Sequence, residues 1–434
     1  MRLSTTTQKP DATLSPWAER LRQRVNVPLL VRWQGGRALP LGQFDQPRVT
    51  MDVRDATGVA ALLSPSLDHL GLAGRAVHLL PHLDHLGRAY VEGHVDIDGK
   101  AQDIIDVAWR LAEADAHQQA GGSGWLGRMA HRVADAVSHT RAQDSAAIQH
   151  HYDVSNAFYA EWLDPGMVYS CAYFEHGDET LAEAQQKKID HILTKLRLQP
   201  GQTLLDIGCG WGALVLRAAS QFGARCVGIT LSQKQFELAT ERVRAAGLQD
   251  RVEIRLQDYR DVQGPFDRVS SVGMFEHVGL KNLSAYFRII HDLLAPGGWA
   301  LNHGITSTDP QNGATSYGGG DFIDRYVFPN GELAHIGTVL TTLQEGGLEA
   351  VDIENLRRHY ARTLQCWSDA FEAKTERLKQ LVDEKTWRIW RVYLVGCQWA
   401  FEHDEIALYQ ILCRRAGQAP DGLPWSRRWV YGAA

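Results

Sequence analysis

Apolar and polar positions follow two different regimes along this chain. From Gln149 onward, short apolar runs alternate with amphipathic stretches, the pattern of strand, helix and strand that builds a parallel sheet covered on both faces. The strands are expected near 203–207, 225–229, 251–256, 266–273 and 298–303, and they predict a doubly wound α/β domain. After Glu349 the pattern reads as mostly helical and rich in aromatic residues, among them Trp367, Trp387, Trp390, Tyr393 and Trp399. Before Leu111 it is different: short strand-like runs mix with helical ones, including Leu79–Leu86 and Asp103–Ala112, which predicts a small α+β module. Residues 1–16 are polar and read as a disordered tail.

Between the two regimes lies Ala116-His-Gln-Gln-Ala-Gly-Gly-Ser-Gly124, a flexible joint of the Gly/Ser type. The stretch Trp125 to Arg141 then places Leu126, Met129, Val133 and Val137 on one helical face, with Arg128, Arg132 and Arg141 among the polar positions. Such a helix either packs one domain on another or lies on an anionic bilayer. The expected organisation is a tail over 1–16, an N-terminal domain over 17–120, a joint and linker helix over 121–148, and a catalytic domain over 149–434.

Composition narrows the function classes. A chain of 434 residues exceeds one compact core and agrees with two domains. A formal charge of -6 argues against a nucleic-acid binder, which usually carries a basic face. No apolar run approaches the roughly 18 residues of a membrane span, and the N-terminus lacks a signal-peptide core, so the expected location is the cytoplasm. The six cysteines contain no C-x-x-C pair and read as reduced thiols rather than a zinc or redox site. His78, His82 and His85 share one helical face, but no Cys or clustered carboxylate completes a coordination set, so no metal is expected.

The chemistry concentrates at Thr203-Leu-Leu-Asp-Ile-Gly-Cys-Gly-Trp-Gly212, where a buried strand runs into a glycine turn and then a helix. Gly208, Gly210 and Gly212 let the backbone turn sharply and approach a ligand at contact distance. The spacing Gly208-x-Gly210-x-x-Ala213 also meets the loose dinucleotide fingerprint, so the glycines alone do not separate NAD from S-adenosylmethionine. A dinucleotide site wants an acid at the end of the second strand, and that strand here ends in Thr230-Leu231-Ser232. Asp206, ending the first strand, and Asp258, after the third, fit a site that grips a methionine moiety and an adenine, which favours S-adenosylmethionine.

Further strings accumulate: His150-His-Tyr-Asp153, Tyr169-Ser-Cys-Ala-Tyr-Phe174, Phe275-Glu-His-Val278, His303-Gly-Ile305, Tyr360-Ala-Arg-Thr-Leu364 and Trp367. Together they resemble the cyclopropane fatty acid synthases and their mycolic acid synthase relatives over about residues 149–410. Leu86-Gly-Arg-Ala-Tyr-Val-Glu-Gly93 resembles the N-terminal domain of the full-length bacterial synthases. The resemblance implies a Rossmann-like class I methyltransferase domain preceded by a small α+β domain; that small domain has no catalytic set and is tethered by the Gly-rich joint, which suggests a module that docks on lipid. It implies an enzyme in which the double bond of an unsaturated phospholipid acyl chain attacks the sulfonium methyl of S-adenosylmethionine, and a base then removes a proton so that a cyclopropane ring closes. The resemblance further implies that this base is a bicarbonate held by Cys171, Glu276, His303, Ile305 and Tyr360, with Cys171 and Ile305 acting through backbone groups. The resemblance also carries over Tyr169, Ser170, Gly208, Gly210, Gln235, Asp258 and Tyr259 as cofactor contacts, and it implies peripheral association with the inner membrane face and a homodimer.

Elementary chemistry agrees with such a set. A dialkyl carbocation gives up a proton to almost any base, so position and dryness matter more than strength. Aromatic faces such as Tyr152, Phe174 and Tyr360 can stabilise a cation. Each residue also has an ordinary role. Glu276 and His277 can begin a helix, His303 can be a satisfied core histidine, Cys171 a small filler and Tyr259 a surface residue. Gln235 completes a capping box, Ser232-x-x-Gln235. The stretch Ser316 to Asp321 departs from the family strings, and its glycines read as a mobile lid over the acyl tunnel. Three rivals stay open: a methyl- or methylene-branching enzyme on the same lipids, a non-catalytic lipid-binding module, and an NAD-linked oxidoreductase.

Overall fold

A computed structural model describes residues 18–19, 22–23, 25–33, 38–63, 83–116, 154–310, 319–328, 332–418 and 422–431. The tail over 1–16, the joint over 117–124, the stretch 125–141, Tyr152, His78 and His82 lie outside the described residues.

The chain divides into two compact units. The first holds the described residues of 1–137 together with those of 314–327 and 383–396. It is built on a four-stranded sheet in the order β2-β1-β3-β4, made of β1 (Leu29–Trp33), β2 (Leu39–Pro40), β3 (Val49–Val53) and β4 (Val95–Gly99). β1 and β3 are parallel, and the outer two strands run antiparallel to them. Alternation in Val49-Thr-Met-Asp-Val53 turns Val49, Met51 and Val53 inward to a core with Leu29, Val31, Leu86, Val107 and Leu111.

The catalytic domain expected over 149–434 is therefore not one uninterrupted unit, because two of its segments group with the first. Buried hydrogen bonds explain one of them. Arg388 donates from Nη1 to the carbonyls of Tyr90 (2.7 Å) and Val95 (3.2 Å), and its guanidinium lies 4.8 Å from the centre of the Tyr90 ring. Arg391 donates to the carbonyls of Ile97 (3.1 Å) and Gly99 (2.8 Å). Arg388→Ala removes the guanidinium hydrogen bonds to two buried carbonyls and the contact with the Tyr90 ring, and is expected to cost about 2–4 kcal/mol. An unchanged midpoint of urea unfolding in that variant would show that the guanidinium does not hold this unit together.

The second unit carries a seven-stranded sheet in the order β10-β11-β9-β8-β5-β6-β7. Its strands are β5 (Thr203–Ile207), β6 (Arg225–Thr230), β7 (Val252–Leu256), β8 (Phe266–Val272), β9 (Leu294–Ser307), β10 (Leu348–Asn355) and β11 (Ile406–Arg415). β7, β6, β5, β8 and β9 are mutually parallel, β11 runs antiparallel to β9, and β10 runs antiparallel to β11. The apolar runs of β5, β8 and β9 are buried because helices cover the sheet on both sides, as a parallel sheet requires. The connections reverse direction at β5 and β8, which opens a crevice at the carboxyl ends of those two strands.

The expectation of a mostly helical region after Glu349 is corrected here. Helices Arg357–Ala373 and Glu384–Glu402 are present, but β10 and β11 flank them. β11 is buried almost throughout, so its sequence, Ile-Ala-Leu-Tyr-Gln-Ile-Leu-Cys, has no alternation to announce a strand. Among the described residues no helix is long and apolar enough to cross a membrane.

Candidate active site

The glycine turn folds as its residues require. Gly208 and Gly210 take φ of +79° and +54°, in the left-handed region, and Gly212 at +84° precedes the helix Ala213–Phe222. The amides of Gly208 and Cys209 donate to the Ile229 carbonyl on β6 (3.0 and 2.9 Å), which pins the turn to the neighbouring strand. A cleft opens above it, lined by Tyr169, Ser170, Asp206, Gly208, Gly210, Gln235 and Tyr259 of the expected cofactor set. Trp211, Thr230, Met274 and His277 line it as well.

Asp258 departs from the expectation. It is not among the lining residues, although its neighbours Gln257, Tyr259 and Arg260 are. Its carboxylate accepts from the Arg260 amide (2.9 Å) and takes a bidentate grip from the Arg260 guanidinium (2.8 and 2.6 Å). The capping box at Ser232 is also only half formed. Ser232 Oγ accepts from the Gln235 amide (3.4 Å), but the Gln235 side chain turns to the Thr230 hydroxyl (2.7 Å), which keeps it on the cleft.

Two buried ionisable groups face each other's field at the base of the cleft. Asp206 accepts from Ser270 Oγ at 2.7 Å, and burial pushes its carboxyl up to about 6. Lys188 donates to Ser170 Oγ at 2.7 Å, and burial pushes its ammonium down to about 8. Sequence reading missed Lys188. The signal was available in the helix Leu181–Lys195, which begins with a complete capping box at Thr180 and Glu183. Its buried face runs through Ala184, Gln185, Lys188, Ile192 and Lys195, so polar residues occupy an apolar stripe.

The five residues expected to hold a base do not line this cleft; they gather next to it through backbone connections. Ser170, which lines it, precedes Cys171, and the Gly273 amide, also in the lining, donates to the His303 carbonyl (2.8 Å). Glu276 Oε1 accepts from the Ile305 amide at 2.8 Å. Ile305 lies opposite Leu408 on β11, the Leu408 carbonyl takes the Leu356 amide (2.8 Å), and the Leu356 carbonyl takes both the Tyr360 amide (3.1 Å) and Cys171 Sγ (3.8 Å). The Ile305 amide thus serves Glu276, where the sequence expectation had it free for an anion.

The electrostatics of this group are those of a dry pocket. Burial pushes the Glu276 carboxyl up to about 7 and the Cys171 thiol well above its usual range, so Cys171 is no thiolate nucleophile. His303 is held far below the usual imidazole range by burial and by the positive fields of Lys188, Lys195 and His191, so its ring is neutral. Glu276 Oε2 and His303 Nε2 are buried without a hydrogen-bond partner among the described residues. A buried carboxyl oxygen and a buried ring nitrogen without partners, both on residues of the expected set, fit a small polar ligand such as bicarbonate.

An aromatic shell joins the two regions. Tyr169 packs at 5.2 Å on Trp367, which meets Tyr360 edge-on at 6.0 Å, and Tyr360 lies 4.6 Å from Phe401. Phe174, expected near a cation, belongs instead to a separate small cluster with Ala172 and Ala184. Elsewhere, Glu175, His176 and Glu179 could hold a metal by their spacing, but Lys187 Nζ already bridges both carboxylates at 2.8 Å.

The family model described as mycolic acid cyclopropane synthetase matches residues 139–411. The chain belongs to this family. It is an S-adenosylmethionine-dependent methyltransferase with the class I fold. A probable fatty acid methyltransferase of Pseudomonas putida is 42% identical over 94% of this chain and 98% of its own length. The cyclopropane-fatty-acyl-phospholipid synthase of Escherichia coli is 40% identical over 61% of this chain and 66% of the relative. The solved mycolic acid cyclopropane synthase CmaA1 in complex with SAH and CTAB is 37% identical, with a TM-score of 0.60 over 62% of this chain and 98% of that one. Coclaurine N-methyltransferase, at 21% identity and a TM-score of 0.62, shares the fold alone.

Proposed function

We propose that this family member transfers a methylene from S-adenosylmethionine to the double bond of unsaturated phospholipid acyl chains and closes a cyclopropane ring. The observation that carries this reading is the buried pair of unsatisfied atoms, Glu276 Oε2 and His303 Nε2, beside the cleft of the glycine turn. S-adenosylmethionine would sit over Gly208 and Gly210, with Asp206, Gln235, Tyr169 and Ser170 around it. Because Asp258 is tied to Arg260, Gln257 and Tyr259 would be the residues to meet the adenine, and the Asp258 carboxylate would act mainly by shaping that wall.

The alkene carbon forms a bond to the donor methyl as the carbon–sulfur bond breaks, leaving a cation on the neighbouring acyl carbon. Loss of a proton from the transferred methyl lets its C–H electron pair close the ring. Bicarbonate, held by Glu276, His303 and Tyr360 with Cys171 and Ile305 around it, would supply the proton acceptor. Glu276, anchored by the Ile305 amide, orients such an anion by accepting or donating through Oε2. His303 offers its ring nitrogen, and the burial of Cys171, Glu276, His303 and Tyr360 keeps out the water that would trap the cation as an alcohol. The Tyr360 ring can stabilise the cation by roughly 0.5–2 kcal/mol.

A second reading has specific support. A relative matched over 94% of this chain is named a probable fatty acid methyltransferase, and a tuberculostearic acid methyltransferase of Mycobacterium tuberculosis is 40% identical over 64% of this chain. In that reading the same cation is quenched to a methyl or methylene branch. We also place the reaction at the inner face of a bilayer, with the first unit as a lipid-docking module and the working form a homodimer.

The test is expression of the full chain in a host that lacks such lipids, followed by mass and NMR analysis of its fatty acids. Cyclopropane proton resonances with the mass of an added methylene support the ring. A product heavier by two hydrogens shows a saturated methyl branch, and an isomer with vinyl protons shows a methylene branch. Tighter calorimetric binding of NAD than of S-adenosylmethionine would remove the cofactor assignment.

A further inference from the structure

We propose that Gln410 is a positioning residue for His303: its side-chain amide donates to Nδ1 of the ring, fixes the tautomer that carries hydrogen on Nε2, and so keeps Nε2–H as a donor for the active site. The inference rests on the reading of His303 as an active-site group.

Strand register creates the pair. β9 and β11 are antiparallel with Gln410 opposite His303, and β10 places Glu354 opposite Gln410. Residues directly opposite in a sheet share a face, so Glu354, Gln410 and His303 form one row across three strands. Gln410 and His303 are both fully buried, and Gln410 Nε2 stands 3.2 Å from His303 Nδ1. His303 Nε2, on the other side of the ring, has no partner among the described residues.

The chemistry explains why an amide rather than an acid occupies position 410. The charged and titratable groups that act on the ring are Lys188, His191 and Lys195 from the helix Leu181–Lys195, with Glu354 on β10 in the same row across the sheet. Glu354 is already engaged by His191 (2.7 Å) and Lys195. The ring is therefore neutral and carries one hydrogen, and its partner at Nδ1 decides where. An amide N–H there demands an accepting Nδ1 and leaves Nε2–H as the donor. A carboxylate there would draw the hydrogen to Nδ1 and turn Nε2 into an acceptor, or draw a second proton onto the ring.

The experiment uses the full-length enzyme labelled with nitrogen-15 in its histidine rings, with the His303 resonances identified by their loss in His303→Gln. Long-range proton–nitrogen spectra of the wild type are expected to show the Nε2–H tautomer. Gln410→Glu is expected to convert it to Nδ1–H at pH 8 and to lower turnover by about tenfold or more there. Part of that turnover should return as the pH falls and the ring gains its second N–H, a pH response that a packing defect would not give. Gln410→Met, which fills the same space without a donor, should show mixed tautomers and an intermediate rate at all pH values. Affinity for S-adenosylmethionine should stay within about twofold in both variants. An Nδ1–H ring in the wild type, or an unchanged tautomer in Gln410→Met, would overturn the proposal without touching the proposed reaction. A switched tautomer with full turnover would remove His303 from the site as a donor, and the proposal with it. If Gln410→Glu does not fold, the wild-type and Gln410→Met spectra still decide.

Discussion

Glu276→Gln is expected to lower turnover about a hundredfold or more, with little change in affinity for S-adenosylmethionine, because it alters a positioned acid–base group outside the cofactor cleft. Glutamine keeps an oxygen for the Ile305 amide, so the local fold survives, but it offers a fixed N–H where the carboxyl could accept. Glu276→Ala and Tyr360→Phe should act in the same direction. Stability supplies an independent check. The Glu276 carboxyl titrates near 7 in the folded protein and near 4.5 when exposed. Between those values the folded state retains a proton that the unfolded state has released, so this group's contribution to stability falls as pH rises from 4.5 to 7. The total is about 3 kcal/mol at 1.36 kcal/mol per pH unit. Glu276→Gln lacks that titration and should gain stability over the wild type as pH rises from 5 to 8. Undiminished turnover would mean that another group positions the base, and a difference in unfolding midpoint that is flat across this range would show that Glu276 ionises normally.

Gly304→Ala is expected to be among the most damaging single-methyl changes in the second unit. A Cβ at Gly304 would stand 1.8 Å and 2.2 Å from two ring carbons of Phe275. Phe275 is itself buried in the core with Ile207, Tyr286 and Ile411, so its ring has nowhere to go. Its chain neighbour is Glu276, and displacing the ring loosens the bond from the Ile305 amide to the carboxyl. Overpacking of this kind costs about 3 kcal/mol or more, and turnover should fall with it. Gly304→Ala combined with Phe275→Leu should recover part of the stability, because the pair is coupled through one contact. A Gly304→Ala enzyme with the wild-type unfolding midpoint would contradict the close packing of strand on ring, and strictly additive effects in the double variant would contradict the coupling.

Much of the fold was legible from residues 203–307. The strands expected at 203–207, 225–229, 251–256 and 266–273 appear within two residues of those bounds, because three are short apolar runs and the other, Val252–Leu256, alternates apolar with charged residues. β9 is longer than the expected 298–303, extending from Leu294 to Ser307, because its pairing with β11 continues through Gly304, Ile305, Thr306 and Ser307. β10 and β11 escaped for the complementary reason: one is partly exposed, and the other is so deeply buried that its period disappears. The glycine turn was legible because positive φ leaves few residue choices. Lys188 and Gln410 were not, because each lies within a buried element and gains its role from a partner 18 or 107 positions away.

The sequence by itself determined the family, the doubly wound sheet and the corner at Gly208, because local pattern and backbone conformation are written in neighbouring residues. Tertiary structure alone decided that Asp258 spends its carboxylate on Arg260 and that residues 314–327 and 383–396 group with the N-terminal module. It also decided that the Ile305 amide anchors Glu276. Each of these depends on which of several available partners a polar group meets once water is gone. That choice is made by burial and strand register, which bring together residues that are far apart in the chain.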